Sequence, residues 1–415
     1  MRWLRYWRLK FRRRVLRPLR RLDRTAERFM TDILYERRRS LGTSIACPIL
    51  HCLSVPFRIA TALRRFLYAQ RILHSQYLGC PVISVGNLTV GGTGKTPFVE
   101  LLARELSRRG RSVAILSRGY RSRPEPFWRR TMRAITHGDG APPRTVSDGK
   151  SVLLGSDVAG DEPHMLAKNL PGVAVVTDRN RVLAGKFAID HFGCDTLILD
   201  DGFQHLRLKA QLNLLLIDST NPFGSGHLLP RGILREPPQQ MRRATHIFLT
   251  KSDGTESREL ENFIKKYKSP RAPIIVCCHS PKHLREVHGA EDTVPLAALA
   301  GRRVATFSGI AVPESFERFL EGEGAIVVHR RHFPDHYRFQ EEDLEKIFAA
   351  AVARGAEWVL TTEKDSVRLN PNQYYPLPTY FLRVEIEILR GEEDFQELLR
   401  RVGGRDRSEP RAPSG

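Results

Sequence analysis

Cysteine is scarce, and it carries no metal pattern. The chain holds Cys47, Cys52, Cys80, Cys194, Cys277 and Cys278, with no CxxC and no histidines at ligand spacing around them. That argues against a zinc site and describes reduced thiols in a cytosolic protein. Acid is also short: 46 Asp+Glu stand against 67 Lys+Arg, a formal charge of +21. No serine precedes Ser40, which speaks against an organelle transit peptide, and arginines interrupt any apolar core of a secretory signal. Internal repeats are absent. Leu41 to Phe57 has no formal charge but is slightly short for a membrane span and contains Pro48, His51 and Pro56. Shallow insertion is the expectation there.

The missing acid is concentrated at one end. Residues 1–40 carry fifteen Lys+Arg and four Asp+Glu, about half of the excess charge. Trp3, Trp7, Phe11, Val15, Leu19 and Leu22 recur at helical spacing, with Arg2, Arg5, Arg8, Arg12 and Arg13 on the remaining surface. A basic helix with such an apolar stripe suits an anionic membrane interface. Charge alone would also permit nucleic acid, but no recognisable binding motif supports it, and none is expected as a partner.

The centre of the sequence is Val82-Ile-Ser-Val-Gly86-Asn-Leu-Thr-Val-Gly91-Gly92-Thr93-Gly94-Lys95-Thr96-Pro97. A β-branched run leads into a glycine-dense turn. Phe98, Val99, Leu101, Leu102 and Leu106 then mark a helix beginning near Pro97 and ending at Gly110. Strand, glycine turn and helix together form the context of a phosphate-binding loop. Gly91, Gly92, Thr93 and Gly94 let backbone N–H groups converge on an anion. Lys95 can reach the β- and γ-phosphates, and the Thr96 hydroxyl can ligate Mg²⁺. The first glycine of the strict G-x-x-x-x-G-K-[ST] pattern is lacking, since Thr89 stands there.

Downstream, apolar strands alternate with helical patterns. Strands are expected at Val113 to Leu116, Val173 to Val176, Thr196 to Asp201, Asn213 to Ile217 and His246 to Leu249, with helices after Pro163 and at Arg181 to His191. Residues 122–156, rich in Pro, Arg and Gly, read as irregular and as an exposed insertion. A second block gives strands at Ile274 to Cys277, Val304 to Phe307, Ala325 to Val328, Trp358 to Leu360 and Tyr380 to Ile386. Helices fall at Glu314 to Leu320 and Asp343 to Val352. The expected fold is α/β: a P-loop NTPase-like, mostly parallel sheet with helices on both faces, then a second, smaller α/β domain. The expected divisions are a basic membrane-associating segment at 1–80, the kinase-type core at 81–270, the smaller domain at 271–400 and a disordered tail at 401–415.

The strand Leu197-Ile-Leu-Asp200-Asp201 ends in two carboxylates. Beside a phosphate loop, such a strand delivers an aspartate to Mg²⁺.

These residues resemble the tetraacyldisaccharide 4′-kinases, the lipid A 4′-kinases of outer-membrane synthesis. The resemblance is carried by the loop, Ser117-Arg-Gly-Tyr-Arg121, Gly160-Asp-Glu-Pro163, Asp200-Asp-Gly-Phe-Gln-His205 and Leu234-Arg-Glu-Pro237. It continues through Phe307-Ser-Gly-Ile-Ala311, Phe333-Pro-Asp-His336 and Thr361-Thr-Glu-Lys-Asp365. It covers about 50 to 385 in the family's order. It implies ATP-dependent transfer of the γ-phosphoryl group to the 4′-hydroxyl of a lipid A disaccharide 1-phosphate, giving lipid IVA. By the same resemblance Lys95 and Thr96 contact phosphate and Mg²⁺, and Asp200 and Asp201 lie near the metal. Asp161 is the general base and His336 its coupled histidine; Gln204, His205, Arg235 and Glu236 line the site. An enzyme of this kind would work at the cytoplasmic face of the inner membrane, peripheral or monotopic.

Two other readings compete. Membrane-associated regulatory ATPases of the partitioning or Min type have a signature lysine where this chain has Val90. GTPases carry N-K-x-D, which Thr250-Lys-Ser-Asp253 approaches without the asparagine.

Overall fold

A computed structural model describes residues 33–34, 41–119, 142–255, 257–287, 293–370 and 373–403. The basic amphipathic stretch at 1–22, Tyr120-Arg121 and residues 404–415 lie outside the described residues.

The phosphate loop joins β1 (Val82–Gly86) to α2 (Lys95–Arg108), preceded by the long helix α1 (Leu41–Ala69). β2 (Val113–Ser117) and β3 (Arg144–Asp148) follow. Then come α3 (Ser156–Ala159), α4 (Asp161–Asn169), β4 (Ala174–Thr177), α5 (Arg181–Phe192), β5 (Thr196–Asp200) and β6 (Leu212–Asp218). β7 (His246–Thr250), α6 (Arg258–Tyr267), β8 (Ile274–Glu286), β9 (Thr293–Pro295), β10 (Arg303–Ser308) and α7 (Pro313–Gly322) continue the chain. It closes with β11 (Ile326–His332), α8 (Glu341–Ala353), β12 (Trp358–Thr362), α9 (Glu363–Ser366), β13 (Thr379–Arg390) and α10 (Glu392–Gly403).

Among the described residues the strands form one sheet in the order β11-β10-β12-β13-β8-β7-β6-β1-β5-β2-β4-β3, with β9 added on β8. Most neighbours are parallel; β3 on β4, β13 on β8 and β8 on β9 are antiparallel. β1 is flanked by β5 and β6, and its strands are buried from end to end. Helices on both faces exclude water from a run such as Leu197-Ile198-Leu199, so continuous apolar strands are the expected solution. One core layer joins Phe98, Leu102 and Leu106 of α2 to Ile83, Ile115, Val175 and Ile198. It also takes Phe395, Leu398, Leu399 and Val402 of α10, so the end of the described chain packs on the β1–β7 side. A separate cluster around Phe307, Leu344, Phe348 and Val359 supports the β10–β12 side.

Several elements differ from the sequence expectation, among them the unforeseen helices α6 and α10, and α10 continues to Gly403 with Val402 buried where a disordered tail was expected from residue 401. Within the segment read as irregular, Arg144–Asp148 pairs with β4 as an edge strand, where Val146 is the buried apolar residue and Ser147 is buried beside it. A single-sided polar edge strand has little hydrophobic signature. β8 runs nine residues past Cys277, to Glu286, through His279, Pro281 and Lys282. Its pairing with β13 shifts register between Arg383 and Val384, opposite His283 and Pro281, so the proline lies at a bulge that needs no ladder donor. α1 passes through Pro48 and Pro56 and extends to Ala69. Its Ser54 hydroxyl bonds both Leu50 O at 2.9 Å and Leu228 O at 3.0 Å, pinning the helix to the body.

Candidate active site

The loop is shaped from below by two glycines. At the end of β1, a Cβ on Gly86 would stand 2.7 Å from Phe203 N and Cβ, so only glycine lets the strand end approach the segment after the acid pair. Gly94 caps α2 with φ 76°, a conformation glycine adopts without strain. A Cβ there would lie 2.5 Å from His279 Nε2. α2 itself begins at Lys95, two residues before Pro97, and Pro97 lies in its first turn, where a missing N–H is harmless. Thr96 is buried.

Parallel register places the acid pair beside the loop: Val85 of β1 lies opposite Asp200 of β5. Asp200 is buried and accepts a hydrogen bond from Ser117 Oγ at 2.9 Å through one oxygen, while its Oδ1 has no hydrogen-bond partner. Burial, with Glu162 and Asp201 nearby, pushes its carboxyl up to about 6. Asp201 adopts φ 53°, a costly region for a non-glycine residue. Its carboxylate receives Arg235 Nη1 at 2.7 and 2.9 Å and lies 3.6 Å from Lys95 Nζ. Burial works against its charge, but Lys95 and Arg235 outweigh it and hold its carboxyl below the usual range. Lys95 also donates to Asn87 Oδ1 at 3.3 Å. Gln204 donates to Asn87 O at 2.9 Å and accepts from Arg235 at 3.4 Å. Asn87, part of the loop motif but given no role from the sequence, therefore ties the loop to the segment after β5.

The loop is braced from the other side by β7. Thr250 Oγ1 donates to Thr93 O at 2.9 Å. Lys251, at φ 56°, donates to Gly92 O at 2.6 Å and to Asp218 at 2.5 Å. Asp253 turns instead to the N–H and hydroxyl of Thr255. The near-match to a guanine motif is thus a loop buttress.

A second cluster forms across the sheet. Asp161 opens α4 after Gly160, and His336, at φ 62°, donates its amide to Gly309 O at 3.2 Å. The two side chains meet with His336 Nδ1 3.0 Å from Asp161 Oδ2. Arg368 Nε donates to the same oxygen at 2.9 Å, and Arg338 lies 2.9 Å from Oδ1. Burial opposes the charge on Asp161, but these donors outweigh it and bring the carboxyl down to about 2. Lys364 contacts His336 Nε2 and Asp335 Oδ1, both at 3.1 Å. Asp365 bonds Gly309 N and Arg368. Of four non-glycine residues with positive φ among the described residues, Asp201, Lys251 and His336 belong to these clusters, as expected where function fixes the backbone.

His205 and Glu236 have other company. His205 is held neutral, pushed down to about 4 by burial and by Arg181, Arg64 and Arg207, and its Nε2 has no hydrogen-bond partner. Glu236 is buried, bonded to Arg243 and 3.6 Å from Arg65 of α1. Glu236 therefore anchors the long helix to the site wall. Arg338, Lys364 and Arg368 were not foreseen; Lys364 lay in a quoted motif, while Arg368 has no local pattern that would single it out.

A glycine loop capping a buried helix, a lysine at its head, and paired aspartates at the end of the adjacent parallel strand define a P-loop phosphotransferase. The chain belongs to the tetraacyldisaccharide-1-P 4′-kinase family, whose profile matches residues 46–403. It is 42% identical over 369 residues to the tetraacyldisaccharide 4′-kinase of Anaeromyxobacter dehalogenans strain 2CP-C, covering 88% of this chain and 92% of that protein. It is 39% identical to the enzyme of the same name from Syntrophus aciditrophicus, over 85% and 91% of the two chains. The crystal structure of LpxK from Aquifex aeolicus in complex with ATP superposes with a TM-score of 0.66 at 31% identity, covering 84% of this chain and 97% of that one. The protein is thus a kinase of lipid A biosynthesis, and the partitioning-ATPase and GTPase readings fall away.

Proposed function

We propose that the protein transfers the γ-phosphoryl group of ATP to the 4′-hydroxyl of a lipid A disaccharide 1-phosphate, with the residues of the two clusters in divided roles. The observation that carries this is the 3.6 Å approach of Lys95, at the head of the phosphate loop, to the acid pair. Backbone N–H groups of residues 91–96 and the helix terminus bind the phosphates, and Lys95 spans the β- and γ-phosphates. The buried Oδ1 of Asp200 and the hydroxyl of Thr96 suit a hard divalent cation, which takes few protein oxygens when phosphates supply the rest. Asp201, held by Arg235, fits beside that ion. Mg²⁺ bound there would neutralise charge on the transferring group.

Asp161 accepts the proton of the sugar hydroxyl. A carboxylate held near 2 is a weak base, which suits a loose transition state in which the hydroxyl loses its proton late. Asp161 comes from the β1–β7 side of the sheet and His336 from the β10–β12 side. We propose that these sides act as two lobes, divided near residue 271, that close over the substrates and exclude water.

α1 faces outward with Ile45, Ile49, Leu53, Ile59, Leu63 and Phe66 exposed, and it is long and apolar enough to cross a membrane. With Arg58 and the basic segment before it, this supports attachment to an anionic membrane at its cytoplasmic face. The decisive experiment supplies γ-labelled ATP and a tetraacyldisaccharide 1-phosphate in mixed micelles. Label should appear on the lipid; hydrolysis of ATP without lipid labelling would sink the proposal.

A further inference from the structure

The segment Thr361–Asp365 converges on the base cluster, and its lysine has a definite chemical consequence. An ammonium group offers three donors and no acceptor. Lys364 Nζ lies 3.1 Å from His336 Nε2 while Asp335 Oδ2 stands farther off at 3.7 Å, so the nearer group is a donor and meets a lone pair on that nitrogen. The proton of the neutral imidazole is then on Nδ1, 3.0 Å from Asp161 Oδ2. Arg368 Nη2 also approaches Nδ1, at 3.4 Å, and as a donor it would favour a lone pair there, but the Asp161 carboxylate is closer at 3.0 Å and is an acceptor.

We propose that Lys364 is a positioning residue that fixes the tautomer of His336, so that Nδ1–H donates to Asp161 and Asp161 Oδ1 remains for the acceptor hydroxyl. The assignment rests on the Asp161–His336 reading above. Asp161 Oδ2 is filled by His336 and Arg368 Nε, while Oδ1 has only the half-exposed Arg338 beside it and no hydrogen bond. The lysine is itself held by Asp335, 3.1 Å away, on the loop that carries His336. The charged groups facing the imidazole include Asp161 from α4, Asp335 from its own loop, Lys364 from α9 and Arg368 just beyond it, with Arg338 reaching the same carboxylate. Without Lys364 the ring could move its proton to Nε2. A lone pair on Nδ1 would then oppose the lone pairs of Asp161.

The test uses the full chain labelled with ¹⁵N-histidine, together with steady-state kinetics. In the wild type, His336 should show Nδ1 protonated and Nε2 bare at the assay pH. Lys364→Met should abolish that pattern and lower kcat about tenfold or more, a part of the roughly 10²- to 10⁴-fold that a positioned proton acceptor supplies. It should leave the KM for ATP unchanged, which also shows that the variant is folded. Lys364→Arg, which keeps a donor, should restore most of the rate. In a His336→Ala background, Lys364→Met should cost nothing further. An Nε2–H tautomer in the wild type, or an unchanged tautomer in Lys364→Met, overturns the assignment. A lost tautomer with undiminished kcat overturns the positioning role. Full kcat in His336→Ala would instead overturn the Asp161–His336 reading.

Discussion

Arg383 on β13 grips Glu363 with two hydrogen bonds of 2.9 Å, and its other terminal nitrogen bonds Glu100 on α2. Asn169, the last residue of α4, donates to both acids, at 2.6 Å to Glu363 and 3.1 Å to Glu100. The group joins the helix headed by Lys95, the helix headed by Asp161, and the turn that presents Lys364.

Removing the cation should therefore be costly. Arg383→Met would leave Glu363 without a cation and the buried Glu100 with Arg104 alone, a loss of about 3 kcal/mol. Urea unfolding of the variant should show a clearly lower midpoint. Restoring neutrality with Glu363→Gln in the same chain should recover part of the loss, because one uncompensated charge is then removed. Stability unchanged in Arg383→Met would mean the group is wetter than its burial suggests.

Lys95→Ala should abolish phosphoryl transfer, because no other residue described here places a lysine ammonium beside both the loop and the acid pair. Near-normal kcat would displace the loop from the nucleotide site.

The two aspartates should differ. Asp200→Asn changes the buried carboxylate with a free oxygen and should lower kcat severely and raise the Mg²⁺ concentration needed for half-activity. Asp201→Asn also loosens Arg235, so its lesion should include weaker positioning of Gln204 and the loop. Identical Mg²⁺ titrations in both variants and the wild type would exclude them from a metal site.

Asp161→Ala should lose far more kcat than nucleotide affinity, and His336→Ala should lose less. Since the groups touch, the double variant should be little worse than Asp161→Ala alone. Multiplicative losses would show that they act separately.

Acid should destabilise the fold through its buried histidines, offset in part by Asp200, whose raised carboxyl takes up its proton in the native state first. Burial pushes His205, His246 and His279 down to about 4 from the ordinary 6.5. The unfolded chain therefore binds up to three more protons than the native one between these values. That stability is complete above pH 6.5 and declines as pH falls towards 4. Asp161, lowered to about 2, contributes above its ordinary 3.8 and is lost below that. Unfolding free energies at pH 7 and 5 should differ, and replacing His246 with Leu should flatten the difference. A pH-independent midpoint over this range would mean that these rings are open to water.

The phosphate loop and the acid pair were legible in the chain because their chemistry is local. A glycine turn between strand and helix, and carboxylates at the end of an apolar strand, require only neighbours in sequence. β5 could be recognised, and its place beside β1 was expected from the pattern of phosphate-loop enzymes and holds in the sheet, since hydrogen bonding between strands carries no sequence address of its own. The interior strands were readable because burial on both faces leaves a continuous apolar run. β3 and the far half of β8 were not, since an edge and a bulged pair need no such run. The meeting of Asp161 with His336 followed from resemblance alone. Their separation in the chain is closed only by the β8–β13 pairing and the turn after β12. That same turn brought Lys364 and Arg368 to the pair, because a long side chain's partner is decided by where the backbone sets its root.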